Sequence, residues 1–171
     1  MAKPYPKPAP KPKAKKYNGL KTTPADKWFS LCIRERSDWT CEYCGTHYEP
    51  DYSLSTGLPK NQGLDCSHFY GRGLNHWSTR TNPDNANAHC YYCHRVLGTD
   101  HDTFVTWKKK QLGDERYEIL REISMDAMRG KAERQGHNSG EAEKHYEAEF
   151  RRMRLLRDRG ATGRIEFVGW L

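Results

Sequence analysis

Two C-x-x-C pairs constrain this chain more than any other feature of its sequence. Cys41 and Cys44 form the first pair, and Cys90 and Cys93 form the second. Two such pairs can close a tetrahedral thiolate site around one Zn²⁺, and in a reducing compartment a metal is favoured over disulfides. The 45 residues between Cys44 and Cys90 far exceed the gap of a simple zinc ribbon. We therefore predict a structural zinc with a whole substructure between its two halves; redox-active or incidental thiols are the less favoured alternative.

The first 21 residues differ from the rest of the chain in charge and composition. The 171 residues carry a net charge of +7, and residues 1–21 hold seven lysines and no carboxylate, so the remainder is neutral. Five of the nine prolines also lie there, which favours extended conformations over a buried core. We predict a disordered basic arm that contacts nucleic acid through Lys13, Lys15 and Lys16. The alternative is a solubilising leader without a partner.

The length and hydropathy of the chain exclude other classes. No apolar run approaches the 18 residues of a membrane span, and the N-terminus lacks the apolar segment of a secretory signal. We therefore expect a cytoplasmic protein without membrane contacts, folded as about one domain.

Hydrophobic spacing and turn signals divide the chain into short elements. Thr23 and Pro24 predict the start of a helix that ends near Arg36. Residues 45–63 have the composition of a loop. We further expect a strand over 64–70, a short helix from about Ala88, a helix capped by Asp102 and ending near Gly113, a helix from about Asp114, a helix bearing Tyr146, Phe150 and Met153, and a small strand over 164–168.

A histidine, an asparagine and a second histidine follow one another between and beside the cysteine pairs. His68 lies in the predicted strand, Asn85 lies in a turn, and His94 directly follows Cys93. This order resembles the HNH endonucleases, whose core is a ββα-metal finger. The resemblance implies a general-base histidine on the first strand, an asparagine in the turn and a metal-binding histidine on the helix.

Phosphodiester hydrolysis needs these residue types. A neutral imidazole can deprotonate water near neutral pH, which makes His68 the candidate base. A divalent ion, Mg²⁺ or Mn²⁺, must neutralise the charge that develops on the phosphate, and His94 is its candidate ligand. An asparagine can fix the orientation and tautomer of the base by a hydrogen bond. Asn82 and Asn87 compete for that role, but the nine-residue interval to His94, as in related HNH motifs, favours Asn85.

The second ligand of the catalytic ion is where the chain departs from the commoner HNH pattern. Many members have Asp, Glu or His directly before the base, whereas this chain has Ser67. Asp65 lies two residues before Ser67 and shares its face in a regular strand, about 7 Å away. We predict Asp65 as the second ligand; a carboxylate that caps a turn is the alternative.

Longer strings narrow the resemblance to one group of HNH proteins. Residues 66–72, 77–80, 83–85 and 90–94, with the approach over 33–41, are similar to the phage recombination proteins of the NinG/Rap family. The similarity covers roughly residues 28–110. It implies a metal-dependent, structure-specific endonuclease that cuts branched DNA such as Holliday junctions or D-loops, in the cytoplasm of a bacterial host.

The predicted architecture is α+β: a disordered arm over 1–21, a zinc-bound HNH nuclease core over 22–112 and a helical C-terminal extension over 113–171. Arg72 and Arg80 flank the predicted site and are candidate phosphate contacts, with generic surface arginines as the alternative. A symmetric dimer would place two active sites on a junction, and the C-terminal helices either form it or only complete the core. Two rival functions stay open: an HNH nuclease that nicks or degrades linear duplex, and a non-catalytic zinc protein that assists recombination.

Overall fold

The computed structural model describes residues 21–60, 63–72, 78–129 and 139–170. This part of the chain is mixed α/β, with five α-helices and one two-stranded sheet. The elements in chain order are α1 (Pro24–Arg36), β1 (Leu64–His68), β2 (Ala86–Cys90), α2 (Tyr91–Thr99), α3 (His101–Leu112), α4 (Asp114–Met128) and α5 (Gly140–Asp158). Residues 1–20 of the predicted arm, with Lys13, Lys15 and Lys16, lie outside the described residues.

Helix α1 begins as the sequence predicts. The backbone N–H of Asp26 donates to Oγ1 of Thr23 at 3.1 Å, and the backbone N–H of Thr23 donates to Oδ2 of Asp26 at 2.7 Å. This reciprocal capping box satisfies two helix-end donors, and Pro24 stands at the first helical position, where a missing N–H costs nothing. The predicted end at Arg36 is also confirmed.

Strands β1 and β2 pair antiparallel and lead directly into α2. Leu64 lies opposite Cys90, and His68 lies opposite Ala86. A 3₁₀ turn over Pro83–Asn85 precedes β2. The predicted helix start near Ala88 is wrong, because residues 86–90 pair with β1 and the helix begins only at Tyr91. A short run of this kind suits a strand or a helix, and here pairing with β1 decides.

The two following helices match the prediction except at one cap. The side chain of Asp100, not that of Asp102, accepts from the backbone N–H of Thr103 at 3.1 Å and caps α3. Asp102 lies in the first turn instead, where its charge complements the helix dipole. Gly113 has a φ of 78° between α3 and α4, a conformation that favours glycine, and α4 begins at Asp114 as expected.

Helix α5 packs against α1 and completes the main core. The ring of Phe29 meets that of Tyr146 edge-on at a centroid distance of 5.3 Å, and Trp28 lies 5.8 Å from Phe150. The same core contains the aromatic ring of Phe167 and the buried cysteines Cys41, Cys90 and Cys93. A second apolar cluster joins β1 to α2, α3 and α4 through Phe69, Leu97, Phe104, Tyr117 and Leu120.

The predicted strand over 164–168 is wrong. This segment has no regular structure, and its groups bond to helix ends and side chains rather than to a neighbouring strand. The backbone N–H of Ile165 donates to the carbonyl of Arg36 at 3.0 Å, and the backbone N–H of Val168 donates to the carboxylate of Glu149. Alternation alone does not make a strand when the segment pairs with no neighbouring strand.

Among the described helices, none is both long enough and apolar enough to cross a membrane.

Candidate active site and metal centre

The four cysteines of the two C-x-x-C pairs meet in space. The Sγ atoms of four cysteines all lie within 4.8 Å of one another: Cys41, Cys44, Cys90 and Cys93. Those of Cys44 and Cys90 are 4.0 Å apart. Tetrahedral zinc with bonds of about 2.3 Å separates its sulfur ligands by about 3.8 Å. The cluster therefore fits a structural metal such as zinc, as the spacing in the sequence predicts.

Local hydrogen bonds prepare this cluster for a cation. The hydroxyl and backbone N–H of Thr46 lower the pKa of Cys44 to about 6, which favours the thiolate. The backbone N–H of Cys90 donates to Sγ of Cys41 at 3.3 Å. Burial raises the pKa of Cys41, so a cation is needed to hold its thiolate.

Glu42, inside the first pair, connects the cysteine cluster to the sheet. Its carboxylate pairs with Arg36 at 3.0 Å and with Arg164, and it accepts from the backbone N–H of Ala88 at 2.7 Å. Burial by itself would raise the pKa of Glu42, but the two guanidinium groups outweigh it and lower the pKa. This network fixes β2, and with it the second cysteine pair, against the end of α1.

A cleft of about 510 Å³ lies between α1, β1 and α2. Four of the predicted site residues line it: Asp65, His68, Arg72 and His94. Asp65 and His68 come from β1, whereas His94 projects from the first turns of α2. The ββα arrangement thus brings together residues that are up to 29 positions apart in the sequence.

His68 is held by a main-chain contact on one ring nitrogen. Its Nε2 lies 2.9 Å from the carbonyl oxygen of Arg80, and its ring packs on Phe29 at a centroid distance of 6.1 Å. A carbonyl oxygen can only accept, so Nε2 carries the proton and the neutral ring keeps its lone pair on Nδ1. Burial lowers the pKa of His68 to about 4, which keeps the ring neutral at pH 7.

Asn85 acts on the main chain rather than on the histidine ring. Its Nδ2 donates to the carbonyl oxygens of Tyr70 and Thr79, at 2.9 and 2.8 Å, and its Oδ1 accepts from the backbone N–H of Tyr70 at 2.7 Å. The predicted direct hydrogen bond to His68 is therefore corrected to an indirect connection. Asn85 clamps the segments that follow His68 and precede Arg80, whose carbonyl holds the ring.

The competing asparagines have other partners. Asn82 caps the 3₁₀ turn, accepting from the backbone N–H of Asp84 at 2.8 Å. Asn87 bonds to the buried Nζ of Lys108 at 2.6 Å and to Glu42. The ring of His89 is buried against Trp107 and serves packing, and neither of its nitrogens has a hydrogen-bond partner within the described ranges.

Asp65 and His94 contact each other at the mouth of the cleft. Oδ2 of Asp65 lies 3.2 Å from Nδ1 of His94, and both side chains are partly exposed, at 34% and 44%. Adjacent ligands of an octahedral Mg²⁺ with bonds of about 2.1 Å lie about 3.0 Å apart. The separation of these two atoms is thus close to that of neighbouring ligands on such an ion. Ser67 is buried and its hydroxyl has no hydrogen-bond partner among the described residues.

The two arginines predicted to hold phosphate differ in their surroundings. Arg72 lines the cleft, and its charge helps to lower the pKa of His68. The guanidinium of Arg80 instead forms a two-point ion pair with the carboxylate of Asp26, at 2.5 and 2.8 Å. While that pair is intact, Arg80 contributes its carbonyl to the site and not its charge.

Arg34 also lines this cleft, and the sequence analysis did not select it. Arg34 follows Leu31, Cys32 and Ile33 directly in α1. A charged residue after three apolar ones was the signal in the sequence that could have indicated a buried arginine.

Comparisons of the chain with protein-family models, curated proteins and solved structures found no match.

Proposed function

We propose that this protein is a metal-dependent DNA endonuclease of the HNH type, which hydrolyses phosphodiester bonds in branched DNA during phage recombination. One observation carries the proposal: a single cleft is lined by a half-buried histidine, His68, and by the contacting pair Asp65 and His94. A base and a cation site in one cleft are what phosphodiester hydrolysis requires.

His68 supplies the base in this proposal. The carbonyl of Arg80 accepts from Nε2 and fixes the tautomer, so Nδ1 is the atom that takes the proton from the attacking water. A pKa of about 4 is low for a base at neutral pH. The approach of a phosphate anion to the cleft raises that pKa, because negative charge favours the protonated ring.

Asp65 and His94 are the residues that would hold Mg²⁺ or Mn²⁺. When bound, the ion supplies positive charge to the phosphate and to the leaving oxygen. The four-cysteine cluster adjoins this pair in sequence, since Cys93 precedes His94 in α2, and a zinc there fixes the start of the helix.

Contacts with the DNA backbone come from the cleft and from the arm. Arg72 lines the cleft, and the lysines of residues 1–21 supply charge that binds any phosphate backbone without reading its sequence. The preference for branched DNA rests on the resemblance to the NinG/Rap family.

The test compares a four-way junction with a linear duplex of matching sequence, using zinc-loaded full-length protein with Mg²⁺ or Mn²⁺. We expect cleavage of the junction, lost in His68→Ala, with unchanged zinc content and circular dichroism. Equal cleavage of both DNAs would retain the HNH chemistry and reject branch specificity. Tight binding without cleavage would favour the accessory protein, and cleavage by a folded His68→Ala would remove His68 from its role.

A further inference from the structure

Arg34 stands out among the buried arginines because it has no carboxylate partner. It is 8% exposed, and no ion pair joins it to any described residue. Two other arginines with little exposure do have carboxylate partners: Arg36 pairs with Glu42 at 3.0 Å, and Arg157 lies 3.3 Å from Asp38. The guanidinium lies 5.8 Å from the centroid of the Trp39 ring, and this contact offsets only part of the cost of burying a charge without an anion.

The hydrogen bonds of Arg34 satisfy one end of its guanidinium group only. Nη1 donates to Oγ of Ser30 at 2.9 Å and to the carbonyl oxygen of Leu64 at 3.4 Å. Nε is buried without a partner, and Nη2 bonds to no residue in the described part of the chain. Nη1 thus holds the group in place, while Nε and Nη2 lack a partner among the described residues. These two nitrogens form the edge that binds a phosphate or carboxylate in bidentate fashion.

The surroundings of Arg34 favour an anionic ligand. It lines the cleft that contains Asp65, His68 and Arg72. The other carboxylate of the cleft, that of Asp26, is already neutralised by Arg80. Asp65 acts on Arg34 only at longer range, because no oxygen of Asp65 lies within 4.0 Å of the guanidinium.

We propose that Arg34 is a phosphate-binding residue, which receives a DNA phosphate on its unpartnered Nε and Nη2 edge in the cleft. The ligand class is a phosphodiester, and assigning the bound phosphate to the cleaved strand rests on the proposed function. Arg72 and His68 line the same cleft as Arg34.

Arginine Nε–H resonances of the zinc-loaded full-length protein test the site without catalysis. The spectra are recorded without Mg²⁺ while inorganic phosphate or the dinucleotide dTpdT is added. We expect a saturable shift of one signal, identified as Arg34 by its absence in Arg34→Lys. The shift persists in His68→Ala. An Arg34 signal unmoved by both probes at their highest soluble concentrations overturns the proposal.

Kinetics give a second, separate readout. Removing one such donor from a reacting phosphate reduces kcat/KM on the order of 100-fold, so we expect that loss for Arg34→Met and a smaller one for Arg34→Lys. The matched control is Arg121→Lys, because Arg121 is an exposed arginine paired with Glu118 at 2.6 Å. We expect this variant to change neither the phosphate-induced shift nor kcat/KM. If Arg34 were purely structural, Arg34→Lys and Arg34→Met would have a lower thermal midpoint and an unchanged affinity for dTpdT. That outcome also overturns the proposal.

The two proposals fail in different ways. A shift of the Arg34 signal in a protein that cleaves no DNA would reject the nuclease and retain the phosphate site. Cleavage by the wild type with no shift, and with kcat/KM unchanged in Arg34→Lys, would reject the phosphate site and retain the nuclease.

Discussion

The ring of His68 and the carbonyl oxygen of Arg80 are joined by a 2.9 Å hydrogen bond through Nε2. The acceptor is a main-chain oxygen, so the contact does not use the charge of the Arg80 side chain. It is placed by two clamps: the Asn85 amide holds the carbonyl of Thr79, and the guanidinium of Arg80 is anchored on Asp26. The orientation of the ring is therefore a property of the loop between the strands.

The state of His68 can be followed directly by its ring resonances. Because burial lowers its pKa to about 4, we expect the signals to keep their neutral positions from pH 8 to about pH 5. An unfolded histidine has a pKa of about 6.5, so between pH 6.5 and 4 the unfolded chain binds more protons than the folded one. The free energy of unfolding consequently falls as the pH is lowered through that window, by at most about 1.4 kcal/mol per pH unit.

Urea unfolding of wild type and His68→Gln measures that contribution, with zinc content checked at each pH. As the pH decreases from 6.5, the free energy of unfolding should fall more steeply in the wild type than in His68→Gln. Titration of the His68 ring with a midpoint near 6.5 would contradict the burial argument.

Asn85 should matter for stability before it matters for catalysis. Asn85→Ala removes three hydrogen bonds to the main chain of Tyr70 and Thr79, which we expect to cost about 3 kcal/mol in free energy of unfolding. Asn82→Ala removes a single cap from the same turn and should cost about 1 kcal/mol. Equal losses in the two variants, measured in urea, would show that Asn85 is only a turn residue.

Sequence patterns predicted the parts of this molecule that depend on local spacing. The cysteine pairs, the helix start at Thr23 and Pro24, and the helix starting at Asp114 each follow from residues close together in the chain. The contact between Asp65 and His94 was expected from the resemblance to a metal finger and from the period of a strand.

The remaining features depend on partners that spacing does not reveal. Arg80 was expected to hold phosphate, but Asp26, 54 residues away, takes its charge. The buried, unpaired state of Arg34 arises only when α1 packs against β1. Residues 86–90 form a strand because β1 offers an edge, which local propensity does not encode.

Zinc should be essential to the fold, since the four cysteines join the segment after α1 to the end of β2 and the start of α2. We expect one Zn²⁺ per chain by elemental analysis. Cys41→Ser should lose both the metal and the cooperative unfolding transition, because metal binding and folding of such sites are coupled. Cys32→Ser is the control: Cys32 is equally buried, but its Sγ bonds to the carbonyl of Tyr146 outside the cluster. Retention of zinc by Cys41→Ser would place the metal elsewhere.

Asp65 and His94 should bind the divalent ion separately from the zinc. Titration of zinc-loaded protein with Mn²⁺, followed by the relaxation of water protons, should show one site that is weakened at least about 10-fold by Asp65→Asn and by His94→Ala. Zinc content should stay unchanged, since neither side chain belongs to the cysteine cluster. Asp51→Asn is the matched control, because Asp51 is also an exposed carboxylate in a contact, at 2.8 Å from Lys60, but lies away from the cleft. If Asp51→Asn weakened Mn²⁺ binding as much as Asp65→Asn, the effect would be general surface charge and the cleft would lose its ion site.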